Sequence, residues 1–186
     1  MNANASPQQE ILAQLFDAIS EFVRLHDLHK TARGDAVNAL TRAHVFTTLR
    51  QLDGYYKGVA IQFLYEANLI GSHAVAAAPP TSPVLALNGA DLTGLSLPNA
   101  NLAWAHFIAA DLSRADLRGA SLICANLSAV DLIEADLSHA DLRGASLFMA
   151  DITDANFDGA DLRGALVAME QLATAIVTDA TRLPKE

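Results

Sequence analysis

Residues 111–122 read "DLSRADLRGASL" and residues 136–147 read "DLSHADLRGASL". Eleven of the twelve positions agree, the difference being Arg114 against His139, and the copies start 25 residues apart. Around them a five-residue period runs unbroken from Leu85 to Met169. These 85 residues divide into 17 units, among them ADLSR, ADLRG, ASLIC and ANLSA. The third place is apolar in all 17 units. The first place is Ala in 14 of them and Leu or Val in the other three.

A period of five fits neither the 3.6 of a helix nor the uninterrupted 2 of a strand. It fits a short extended piece followed by a corner. Places one and three are two residues apart and so point to the same side. One small and one large apolar residue per unit then face inward. Four pieces close a square coil of about 20 residues, and coils stack at about 4.7–4.9 Å. No unit buries its apolar face alone, so the stack is a cooperative array. Each inward Leu contributes roughly 1.5–3 kcal/mol. The glycines at place five (Gly89, Gly94, Gly119, Gly144, Gly159 and Gly164) mark corners that need positive φ.

The A-[DN]-L-x-x units resemble the pentapeptide repeat family. The resemblance covers residues 85–169. It implies a mainly β chain, a right-handed quadrilateral β-helix (a β-solenoid) of about four coils. Members of that family commonly end in a tail such as "QLATAIVTDATRLP" (171–184), so residues 170–186 are expected to cap the last coil. The stretch "LRQLDGYYKGVAIQFLYEANLI" (49–70) resembles segments placed ahead of such repeats in some bacterial proteins. Some of those relatives carry membrane spans upstream.

Ahead of the repeats the pattern is helical, which predicts an N-terminal α-helical domain of about three helices over residues 1–70. Ile11, Leu12, Leu15, Phe16, Ile19, Phe22 and Val23 make one apolar stripe at helical spacing. Ser6 and Pro7 form a cap and first-turn pair. A second helix is expected from Asp35 to Leu52, with Val37, Leu40, Val45, Leu49 and Leu52 inward. "DGYYKG" (53–58) reads as punctuation. A third helix is expected from Val59 to Leu69, apolar nearly all round and so buried between others. "GSHAVAAAPPTSP" (71–83) reads as an extended linker over residues 71–84.

With 12 basic and 21 acidic residues the net charge is −9. That argues against non-specific binding of nucleic acid or anionic membrane. One cysteine, Cys124, permits no internal disulfide. The N-terminus lacks the basic and apolar regions of a signal peptide, and no apolar run of about 18 residues occurs. A soluble cytoplasmic protein without a membrane span is expected.

Catalytic signals are weak, and no catalytic residue, cofactor or metal is assigned. "HDLH" sets His26 and His29 three apart, a spacing that can hold a metal. Without further ligands, the pair fits a favourable charge at a helix C-terminus better. Cys124 has no base assigned beside it, and no phosphate-binding glycine motif occurs.

Function is then expected at the outward places two, four and five. Trp104, Ile108, Ile123 and Cys124 project near the start of the stack. Phe148, Met149, Leu166 and Met169 project near its end. Contiguous exposed apolar residues mark contact sites. The N-terminal helices are one cover for the first group. The C-terminal tail or a second copy, as a homodimer through the C-terminal end of the solenoid, is a cover for the second.

A second pattern is acidic. Asp91, Asp111, Asp131 and Asp151 fall one above another, with Asp116 and Asp136 on a neighbouring face. Residues 85–169 carry 11 acids (ten Asp and Glu134) against four Arg, a balance of −7. One reading is structural: the carboxylates accept corner N–H groups. The other follows from the resemblance, since some pentapeptide repeat proteins look like duplex DNA and bind DNA gyrase in its place. Arg118, Arg143 and Arg163 interrupt that pattern. The leading expectation is a non-catalytic scaffold for contact with an unidentified protein. A gyrase-binding DNA mimic is the alternative, and a metal-binding or enzymatic protein is third.

Overall fold

A computed structural model describes residues 5–26, 36–70 and 85–184. Helices α1 (Pro7–His26), α2 (Ala36–Leu49) and α3 (Gly54–Glu66) precede the repeats, and the single-turn α4 (Met169–Leu172) follows them. The expected linker at 71–84 lies outside the described residues, as do His29 and the expected helix start at Asp35.

The repeats form a β-solenoid with a period of 20 residues. Asp91 bridges in parallel to Asp111, Ser96 to Asp116, Asn101 to Ser121 and His106 to Asn126. The same step then repeats along all four faces as far as Leu166. Pairing takes the form of isolated bridges rather than long strands, because each unit turns after two extended residues. The expectation of a mainly β chain is corrected to that extent: the pairing is β, but regular strand is scarce.

In the unit around Asp111 every backbone N–H has its own acceptor. Asp111 N donates to Ala90 O of the preceding coil at 2.9 Å, and Leu112 N to Asp131 O of the following coil at 2.7 Å. Arg114 N reaches Ile133 O at 2.8 Å, and Ala115 N closes the corner on Leu112 O at 3.0 Å. The remaining N–H, at place four, donates to the side chain at place two: Ser113 N to Asp111 Oδ1 at 2.9 Å. Asn serves equally, as in Ser128 N to Asn126 Oδ1 at 3.1 Å. Buried N–H groups need such partners, and this is why place two favours Asp and Asn. Inside, the first- and third-place residues are almost fully buried, with Phe107 and Phe157 the largest.

Place five is left-handed throughout. All sixteen residues at that place from Gly89 to Gly164 have positive φ, and ten of them are not Gly. Each non-glycine there is strained by about 1–2 kcal/mol, which the stacked bonds offset.

The helical half packs on the first coil. Ser6 caps α1: its Oγ accepts from Gln9 N at 3.3 Å, and Gln9 Oε1 accepts from Ser6 N at 2.8 Å, a capping-box arrangement. Phe16 of α1 stacks on Phe63 of α3 at 4.2 Å. In α2 the inward set differs from expectation. Leu40 is 64 % exposed, while Thr41 and Thr48 are buried. Their hydroxyls donate to Val37 O and His44 O one turn back, which removes the usual penalty for burying them.

Helix α3 starts at Gly54 instead of Val59, with Asp53 accepting from Tyr56 N as its cap. "DGYYKG" is therefore its cap and first turn, not a break. The glycines are there for contact. A β-carbon on Gly54 would overlap Gly94 O, and one on Gly58 would overlap Ser96 O. Ser96 N donates to Gly54 O at 2.9 Å, where elsewhere a preceding coil would supply the acceptor. Lys57 lies between the two glycines. It is buried, and its Nζ reaches Asp91 Oδ1 at 3.2 Å and Thr93 O at 3.1 Å. Tyr65 Oη donates to Ala103 O at 3.1 Å. Helix α3 thus takes the place of a missing coil.

The far end is closed by the tail. Asp154 N donates to Thr174 O at 2.9 Å, and Ile176 and Arg182 bridge to Asn156 and Asp161. The Gln171 amide donates to Leu147 O and Ala150 O at 3.1 and 2.8 Å.

Candidate interaction surface

The four faces differ in chemistry. The first face holds residues 85–89, 105–109, 125–129, 145–149 and 165–169, and the second, third and fourth follow in order. Its outward residues include His106, Asn126, Ser146 and Leu166 at place two and Ile108, Ser128 and Phe148 at place four; none is Asp, Glu, Lys or Arg. The charges of the repeats all stand on the other three faces.

Two groups of apolar residues border this face. Trp104, Ile108, Ile123 and Cys124 are only half-buried. Near the end of the stack Phe148, Met149, Leu166 and Met169 are 63, 71, 65 and 59 % exposed. The tail does not cover this second group. It passes beside them and makes the wall of a groove of about 600 Å³, lined also by Ala165, Val167, Gln171 and Pro184. Gln171 holds that wall in place through its two bonds to the last coil, and its Oε1 also accepts from Ala168 N at 2.9 Å. Gln171 and Pro184 lie past the last repeat, so the period gave no signal for them.

The acidic columns are built into the scaffold. Asp91, Asp111, Asp136 and Asp151 each accept the place-four N–H of their own unit. For Asp111, burial pushes the pKa up, but the Ser113 bonds outweigh it and the carboxyl lies below its usual range. Arg118 folds back on Asp116 with two bonds of 2.8 Å, and its hydrogen bonds pull Asp116 down. Arg143 sits likewise on Asp141 at 2.7 Å and Arg163 on Asp161 at 2.6 Å. Asp161, with Arg163 foremost and Arg182 beside it, is held far below the usual carboxylate range. Asp131 is exposed. These arginines neutralise acids of their own units, a pairing that the sequence reading treated only as an interruption.

The one difference between the duplicated stretches has a local cause. Arg114 Nε meets Glu134 Oε2 at 2.9 Å, one coil further on. His139 instead faces Gly159, where a β-carbon would strike its ring. Each residue matches its neighbour 20 positions on.

The family model described as pentapeptide repeats, in 8 copies, matches residues 87–122 and 125–164. The chain belongs to the pentapeptide repeat family. Solved structures similar to it include a pentapeptide repeat protein from the Arabidopsis thaliana thylakoid lumen, at 31% identity and a TM-score of 0.42, covering 51% of this chain and 61% of that one. Another is Rfr23 from the cyanobacterium Cyanothece, at 30% identity and a TM-score of 0.28, covering 60% of this chain and 69% of that one. A third is QnrB1, a plasmid-mediated fluoroquinolone resistance protein, at 22% identity and a TM-score of 0.24, covering 53% of this chain and 69% of that one. This pentapeptide repeat chain thus spans about three-fifths of the Arabidopsis protein. No curated protein matches it.

Among the described residues of this family member, no group of three His, Cys, Asp or Glu side chains could hold a metal. His26 ends α1, and its partner in "HDLH" lies outside the described residues. No described helix is long and apolar enough to cross a membrane.

Proposed function

We propose that the protein is a non-catalytic scaffold that works by contact with another polypeptide, through the first face of a right-handed quadrilateral solenoid of about four coils. The right hand agrees with the strong preference of parallel β connections. The observation that carries the reading is the groove beside Phe148, Met149, Leu166 and Met169. Large apolar side chains left in water next to a rigid concavity are the usual mark of a contact site. The division of the chain is part of the proposal: a helical unit over 1–70, a linker over 71–84, the solenoid over 85–169 and a cap over 170–186. The free thiol of Cys124 suits a reducing compartment such as the bacterial cytoplasm. A homodimer through the C-terminal end of the solenoid is one form such contact can take.

The test is a photo-reactive side chain placed at position 148, with position 93 on the second face as control. A discrete cross-linked polypeptide at 148 and none at 93 is expected. Equal, diffuse labelling at both positions would remove the reading.

A second reading is protection of DNA gyrase by a rod that imitates duplex DNA. Its support is the stacking of Asp91, Asp111, Asp131 and Asp151, one per coil. The carboxylates tied to place-four N–H groups and arginines count against it. A supercoiling assay with and without a quinolone decides it. No effect at micromolar protein would reject it.

A further inference from the structure

We infer that the partner at the first face is a second copy of this chain, lying alongside the first with both rods pointing the same way. The inference rests on the reading that this face is a contact site. Three observations select the occupant. First, the chain carries a net charge of −9, so two copies approach best where no carboxylate stands between them. The first face is the only one of the four without a charged outward residue. Second, the patch offers both a concavity and exposed apolar side chains. It holds a groove, and Met149 and Leu166 on its rim are 71 and 65 % exposed. A two-fold contact needs knob and hole in the same patch.

Third, the flanking faces differ in net charge. The second face carries six acids, Asp91, Asp111, Asp131, Glu134, Asp151 and Asp154, against Arg114 alone. The fourth is balanced, with Arg143 and Arg163 folded on Asp141 and Asp161 of their own units. A half-turn about an axis parallel to the rod sets the balanced side of one copy beside the acidic side of the other, at both edges of the contact. A half-turn about an axis across the rod sets like sides together. Avoidance of acid against acid therefore selects the parallel pair. The contact is side by side rather than end to end, because Thr174, Ile176 and Arg182 already occupy the bonds of the last coil. Four exposed apolar side chains make a patch smaller than the roughly 800 Å² per partner of a standard interface, so the dimer is a weak, reversible one.

Sedimentation of the full chain over a concentration series tests this. A reversible monomer–dimer equilibrium is expected, loosened by salt. Leu166→Glu removes the dimer. Arg143→Glu weakens it about tenfold, while Arg118→Glu, the same charge change on the third face, leaves it unaltered. Circular dichroism checks that each variant is folded. A chain that stays monomeric near millimolar concentration, a dimer that survives Leu166→Glu, or equal effects of Arg143→Glu and Arg118→Glu would each overturn the inference. If the product cross-linked at position 148 has a mass other than twice that of the chain, the second copy is wrong while the contact site stands.

Discussion

The α-carbon of Gly58 lies so close to the carbonyl oxygen of Ser96 that a β-carbon would overlap it. Helix α3 and the first coil therefore meet backbone to backbone. On a free helix Gly→Ala is stabilising by about 1 kcal/mol. Here Gly58→Ala is expected to destabilise by about 1–3 kcal/mol, the cost of overpacking. Urea denaturation measures it. Proteolysis between α3 and the solenoid should quicken in step. A more stable variant would show that the helix does not dock this way.

The core register has a paired test. Leu127 is fully buried at place three, whereas the Ser128 hydroxyl next to it meets only the Ser146 hydroxyl at 2.8 Å. Leu127→Lys buries an unpaired charge and should abolish cooperative thermal unfolding. Ser128→Lys should leave a folded solenoid by the same measurement.

The structural duty of the aspartates is separable from their charge. Asp111→Ala leaves Ser113 N without its acceptor and should cost about 1 kcal/mol. Asp111→Asn keeps an oxygen there and should be nearly neutral. Chemical denaturation of both variants compares them. Equal losses would mean that charge, not the corner bond, fixes the residue.

Asp161 makes part of the stability depend on pH. Its folded pKa is depressed by Arg163, below an unfolded value of about 3.9. The contribution is therefore present above that value and is lost as pH falls through the folded pKa. Asp161→Asn should be slightly less stable than the parent at pH 7. The gap should narrow as pH falls below about 4. Denaturation midpoints at several pH values read it directly.

Place five offers a stabilising change. Ala129 is exposed and has φ 53°. Ala129→Gly removes its left-handed strain and should raise stability by about 1 kcal/mol. A lower melting temperature would mean that the methyl group makes a contact worth more than the strain.

The coil was legible because its period belongs to no other element. Places one and three had to be apolar, and they are. The docking of α3 was not legible. Gly54 and Gly58 look like turn residues in one dimension, and only the carbonyls of Gly94 and Ser96 reveal why they are needed. Leu40 misled for a related reason: Thr41 and Thr48 bond their own helix and can go inward, so α2 turns a different side to α1. The apolar outward residues could be picked out in advance, because any large hydrophobe at places four or five departs from the pattern. The groove beside them could not, since Gln171 and Pro184 lie where the period stops.

The duplicated stretch, finally, sets a rule for how such a chain can change length. Inserting 20 residues slides everything downstream along the axis and keeps each residue on its compass bearing. Inserting five keeps the core intact yet swings everything downstream through a quarter-turn. The two near-copies are one tile laid at successive bearings: Arg114 looks toward Glu134, and His139 toward Gly159. A single extra pentapeptide after Cys124 would leave a solenoid that folds, but would carry Leu166 round to the acidic side and leave Trp104 behind.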